Sequence, residues 1–177
     1  MAGFLAHPLF LLLAGAVLTG LLIPALTRRW QDRQKALELK TELIGEISES
    51  ITEMVMAVQF VHLGATSMDQ QRFDEAYREW EARSAVIGTK LQAYFPKTAI
   101  PNEWNALSEI VTDFYALEGV SDEKQRSEYS FRINEKLSTL LGSQYERAEE
   151  WGALKEGISM KKADIIRKVL DSRISVF

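Results

Sequence analysis

The chain has no cysteine. Disulfides, thiolate nucleophiles and cysteine metal sites are excluded. Histidine is nearly absent as well: there are only His7 and His62. Di-metal sites in helical bundles draw on paired Glu-x-x-His motifs, and His62 is preceded three positions earlier by Gln59, not Glu. No Gly-rich phosphate loop, G-x-S-x-G, H-E-x-x-H or Asp-rich calcium loop is present. No catalytic residue, metal or cofactor is therefore assigned, and an enzyme is not expected. Proline is scarce, with four residues, and Pro24, Pro96 and Pro101 fall at element boundaries. Runs of alternating β-branched residues and Asn-Gly or Asp-Gly hairpin signals are missing too. An all-α chain is expected.

The most telling absence is one of charge. Residues 2–27 carry no Asp, Glu, Lys or Arg, and LFLLLAGAVLTGLLIPAL runs from Leu9 to Leu26. As a helix this run rises about 27 Å, close to the thickness of a hydrocarbon core. A helix satisfies its own backbone groups in lipid, so residues 1–27 are read as a short external tail and one transmembrane helix. A cleaved secretory signal is disfavoured, because MAGFLAHP has no basic residue and no A-x-A pattern precedes a plausible cut. Arg28, Arg29, Arg33 and Lys35 flank the run on its C-terminal side only. The positive-inside rule then puts the N-terminus outside and the rest of the chain at the cytoplasmic face of a cell membrane. Trp30 joins them as an interfacial residue. Within the run, Gly15/Thr19 and Ala16/Gly20 form small-x-x-x-small spacings that let helices approach closely, a candidate contact with a second copy.

The chain beyond residue 27 is rich in helix formers. Residues 28–157 read as a helical bundle whose first helix continues out of the membrane. Leu37, Ile44, Ile51, Val58 and Ala65 recur by sevens, with Ile47, Met54 and Val61 as companions. Ser67 with Gln70 suggests a capping box opening a second helix, striped by Phe73, Tyr77, Trp80, Ser84, Ile87, Leu91 and Tyr94. Pro101 or Asn102 opens a third, striped by Trp104, Leu107, Val111, Phe114 and Leu117 and closed by Gly119. Ser121 is expected to cap a fourth, with Ile133, Leu137, Leu140 and Leu141. Residues 158–177 form a basic amphipathic C-terminal helix with Ile165, Ile166, Val169, Leu170 and Ile174 on its apolar side. The whole is expected to be an antiparallel bundle of four to five helices.

Charge is uneven. Residues 28–40 have five basic and two acidic side chains, residues 41–157 have 11 and 21, and residues 158–177 have five and two. Basic ends suit an anionic leaflet, and the acidic middle argues against nucleic acid as a partner. Two surfaces are candidates for a partner or a membrane: the ridge Glu42, Glu46, Glu49 and Glu53, and the basic set Lys161, Lys162, Arg167, Lys168 and Arg173. The expected function is that of a non-catalytic interaction module, subunit or scaffold, with lipid, other protein subunits and itself as partners. A membrane-linked sensor or signal-relay bundle is the alternative.

Overall fold

Apolar residues recurring every three to four positions build five α-helices in the computed structural model, which describes residues 12, 15–63, 67–142, 145 and 151–174. They are α1 (Ile23–His62), α2 (Ser67–Tyr94), α3 (Ile100–Gly119), α4 (Glu123–Leu141) and α5 (Trp151–Asp171), preceded by a π-helical turn, Leu18–Leu22. Among the described residues there is no strand. The first half of the uncharged segment lies outside them, with His7 and Pro8. So do Gly64 and Ala65 at the end of the heptad stripe, and residues 175–177. Two compact units divide at Leu39/Lys40, inside α1.

In the first unit, Pro24 accounts for the π-turn. It has no N–H to give the carbonyl of Gly20, and its ring crowds that oxygen, so the ladder widens just ahead of it. Thr19 Oγ1 donates to the Gly15 carbonyl at 2.7 Å, and Thr27 Oγ1 to that of Ile23 at 2.8 Å. Every side chain described from Thr19 to Lys35 is exposed, Leu21, Leu22, Ile23, Leu26 and Trp30 included. Among the described residues no helix is long and apolar enough to cross a membrane.

In the second unit, α1 buries Leu43, Ile47, Ser50, Ile51, Met54, Val55 and Val58. Ile47, Ile51, Met54 and Val58 of the expected stripe are thus buried, and Leu43, Ser50 and Val55 widen the buried face beyond a two-position seam. At the start of this unit Ile44, also of that stripe, is half-buried. The third helix keeps its stripe, with Trp104, Leu107, Val111, Phe114 and Leu117 all buried. Pro101 sits in its first turn, where no N–H is needed. Thr98 closes the turn before it, donating to the Phe95 carbonyl and accepting from the Ile100 amide. The cap of α4 is Asp122, not Ser121. Its carboxylate accepts from the Lys124 and Gln125 amides at 2.8 and 3.0 Å, and a charged acceptor also answers the positive helix end.

Partners across the helices set their directions. Glu46 meets Lys90 and Glu53 meets Arg83, so α2 runs opposite to α1. Trp104 Nε1 donates to the Ser84 carbonyl and Tyr115 to Asp74, so α3 reverses again. Lys136 meets Glu109 and Arg126 approaches Glu118, turning α4 back. The fifth helix also runs opposite to α3, with Trp151 beside Phe114 and Lys168 on Glu103. Consequently α4 and α5 are parallel, a departure from up-down connectivity. Nine residues separate Leu141 from Trp151, enough chain to return along a helix by about 15 Å.

The last helix starts at Trp151 and not at Ile158, so residues 157 and 158 share one element. Gly152 and Gly157 do not break it. A Cβ on Gly157 would lie 2.7 Å from Tyr145 Cε2 and 2.8 Å from Leu137 Cδ1. The glycine is what lets α4, Tyr145 and α5 close on one another. Tyr145 is fixed there by its hydroxyl, which donates to Asn134 Oδ1 at 2.7 Å.

Candidate functional site

Three groups of polar side chains in the second unit have the chemistry to bind something. The acidic ridge of α1 is the first. Glu46 and Glu42 both face Lys90, at 2.5 and 3.4 Å, and Glu53 receives Arg83 at 2.6 Å. The hydrogen bond to Glu46 leads in holding Lys90 above its ordinary pKa. Much of this ridge is therefore an α1–α2 seam. Glu49 stays exposed and borders a cleft of about 260 Å³ with Glu46, Ala82, Arg83, Val86 and Ile87.

The second group is a knot of charges joining α3 to α5. Lys161, only 1% exposed, donates to Glu103 Oε2 at 2.6 Å and Asp164 Oδ2 at 2.9 Å. Lys168 reaches the same two oxygens at 2.7 and 2.8 Å, and Arg167 pairs with Asp164 at 2.8 Å. Burial alone would raise both carboxyls. The hydrogen bonds from Lys161 and Lys168 to Glu103, and from Lys168, Lys161 and Arg167 to Asp164, outweigh it and hold both below the usual carboxylate range. Burial likewise opposes the charge on Lys168, and its two carboxylate partners win. General acid–base work needs one of two carboxyls pushed toward neutrality; here both stay ionised.

The C-terminal basic set is not uniformly exposed. Lys161 is interior, and Arg167 and Lys168 are taken up by carboxylates of the chain itself. Lys162 donates to Thr52 Oγ1 at 3.2 Å, and Arg173 is exposed. Sequence reasoning missed Glu103 and Asp164, although the spacing Lys161, Asp164, Lys168 on one helix face signals local ion pairing.

The third group lies where α1 ends. His62 stacks on Trp151 with ring centroids 4.8 Å apart and planes 13° from parallel. Its Nδ1 is 2.9 Å from Glu118 Oε1; a carboxylate only accepts, so Nδ1 carries the proton. The Glu118 carboxylate is 5% exposed and also faces Arg126 at 3.8 Å. Lys155 Nζ donates to Gln59 Oε1 at 2.7 Å and lies 5.5 Å from the Trp151 ring. Beside this cluster is a cleft of about 710 Å³, bordered by His62, Leu117, Arg126, Ser130, Phe131 and Trp151 among others.

The remaining candidates fall in the first unit. Arg28, Arg29, Trp30, Arg33 and Lys35 are all exposed, as are Gly15, Ala16, Thr19 and Gly20. A Cβ on Gly15 or Gly20 meets nothing within 4 Å. Among the described residues no three His, Asp or Glu side chains are placed to hold a metal ion. No family model, curated protein or solved structure matches the chain.

Proposed function

We propose that this chain is a single-pass, membrane-anchored helical bundle acting as a non-catalytic interaction module, subunit or scaffold, at the cytoplasmic face of a cell membrane. The observation that carries the reading is the exposed apolar surface ahead of the bundle. Leu21, Leu22, Ile23 and Leu26 are 48–68% exposed, and fully burying an aliphatic side chain of this size is worth roughly 1.5–3 kcal/mol. Lipid supplies that burial. Arg28, Arg29, Arg33 and Lys35 then hold the adjoining residues at the cytoplasmic side, with Trp30 at headgroup level. Open Cβ positions at Gly15 and Gly20 leave the small-residue face free for a second copy.

Protein partners are supported by the outer face of α1. Met56, Phe60 and Leu63 stand exposed at i, i+4 and i+7, the spacing with which a helix fills an apolar groove. A photoreactive phenylalanine at Phe60 is expected to give a discrete protein adduct in membranes. The same group at exposed Glu128 is the reference; if Phe60 yields nothing beyond it, the interaction role is rejected. A signal-relay bundle is the second reading, favoured by the cleft beside His62.

A further inference from the structure

We infer that the outer face of α1 docks a second copy of this chain, with the two α1 helices parallel and in register, a pairing that rests on the interaction role proposed above. Gly45, Glu49, Thr52, Met56, Phe60 and Leu63 recur at intervals of four and three residues, and all are exposed. At 3.6 residues per turn they make one stripe. Toward its C-terminal end the stripe is apolar: Met56, Phe60 and Leu63 are 51%, 62% and 74% exposed. Toward its start Gly45 has open space at its Cβ position, so no side chain there holds a facing helix away.

The two flanks of the stripe carry opposite charge. On the α2 side stand Glu42, Glu46, Glu49 and Glu53. Two cations answer them, Lys90 on Glu42 and Glu46 and Arg83 on Glu53, so that flank stays acidic. On the α5 side, Lys155 and Lys162 donate to neutral acceptors, Gln59 Oε1 at 2.7 Å and Thr52 Oγ1 at 3.2 Å. Thr52 lies between Glu49 and Glu53 along α1, which sets Lys162 level with the acidic flank. Pairs of identical chains are most often related by a twofold axis. A twofold running along α1 brings each copy's acidic flank against the other's basic flank, with Lys162 opposite Glu49 and Glu53. A twofold across α1 brings acid against acid and lysine against lysine, an arrangement that like charges oppose. Charge therefore selects the parallel pair. Copies anchored in one membrane by the same end of the chain meet in that sense, at a raised effective concentration.

The chain has no cysteine, so an introduced thiol is unique. Gly45→Cys and Leu63→Cys stand about 27 Å apart along the helix, and both can link to their own counterparts only in a parallel pair. Membranes carrying the full chain with either change, or with Glu128→Cys on α4 as the collision reference, are oxidised with copper phenanthroline and resolved on non-reducing gels. The expected result is a disulfide-linked dimer from both α1 positions, formed faster than from Glu128→Cys. Adding Glu49→Lys to Leu63→Cys should slow linking about fivefold with helicity unchanged, as two symmetric exposed ion pairs turn repulsive. Adding Lys162→Glu as well should restore the rate. Linking at only one α1 position, linking no faster than at Glu128, or a rate that Glu49→Lys leaves unchanged or raises overturns the proposal. A Phe60 photoadduct to a different protein, without self-linking at either position, overturns the second copy while keeping the interaction role.

Discussion

Replacing Gly157 with alanine isolates the close approach of α4 and α5. Inside a helix the change ordinarily gains about 1 kcal/mol of propensity. At Gly157 the added methyl would stand 2.7 Å from Tyr145 Cε2 and 2.8 Å from Leu137 Cδ1. Neither neighbour yields freely: Leu137 is fully buried, and Tyr145 is tied by its hydroxyl to Asn134. Overpacking of this kind costs about 1–3 kcal/mol, and loosening the Tyr145–Asn134 hydrogen bond adds about 1 kcal/mol. The net expectation is a loss of about 1–3 kcal/mol, or roughly 2–10 °C in Tm for a chain of this size. Gly45 is the matched reference, since it lies mid-helix in α1 with nothing within 4 Å of a Cβ, and Gly45→Ala should stabilise by up to about 1 kcal/mol. Thermal melts by circular dichroism read both. Adding Leu137→Ala to Gly157→Ala should cost less than the two separate losses together, because it removes one of the clashing atoms. Equal stabilisation by Gly157→Ala and Gly45→Ala would refute the packing argument.

The charge knot makes further predictions. Glu103→Gln leaves buried Lys161 with Asp164 as its remaining carboxylate and should cost about 1–3 kcal/mol in denaturant melts, whereas Lys161→Met leaves Glu103 held by Lys168 and should be near neutral. The folded carboxyls of Glu103 and Asp164 are depressed, so their stabilisation is complete above the unfolded carboxylate range, about pH 4, and is lost as pH falls below it. Tm measured downward from pH 6 should therefore drop more steeply below about pH 4 in the parent chain than in an Asp164→Asn variant.

The core was legible in the sequence wherever one helix settled it. The stripe from Trp104 to Leu117 needs only the 3.6-residue period and comes out buried throughout. The ends Pro96 and Gly119 need only local backbone chemistry. Features that depend on a second helix were not legible. Glu46 and Glu53 look like a solvated ridge until Lys90 and Arg83 are brought opposite them. Lys161 reads as surface charge until Glu103, 58 residues away, closes over it. Gly157 carries no signal along the chain, because the tyrosine that needs its space lies outside the helix. The parallel run of α4 and α5 depends on a connection whose length permits either direction. The cleft draws His62, Leu117, Arg126 and Trp151 from four helices, and no spacing along the chain joins them.

Membrane attachment is tested most directly by alkaline carbonate extraction of membranes carrying the full chain. The expected result is a chain that stays in the membrane pellet, and a Leu21→Arg/Leu22→Arg variant of equal helicity that is released. Release of the unaltered chain into the supernatant would contradict the anchored bundle.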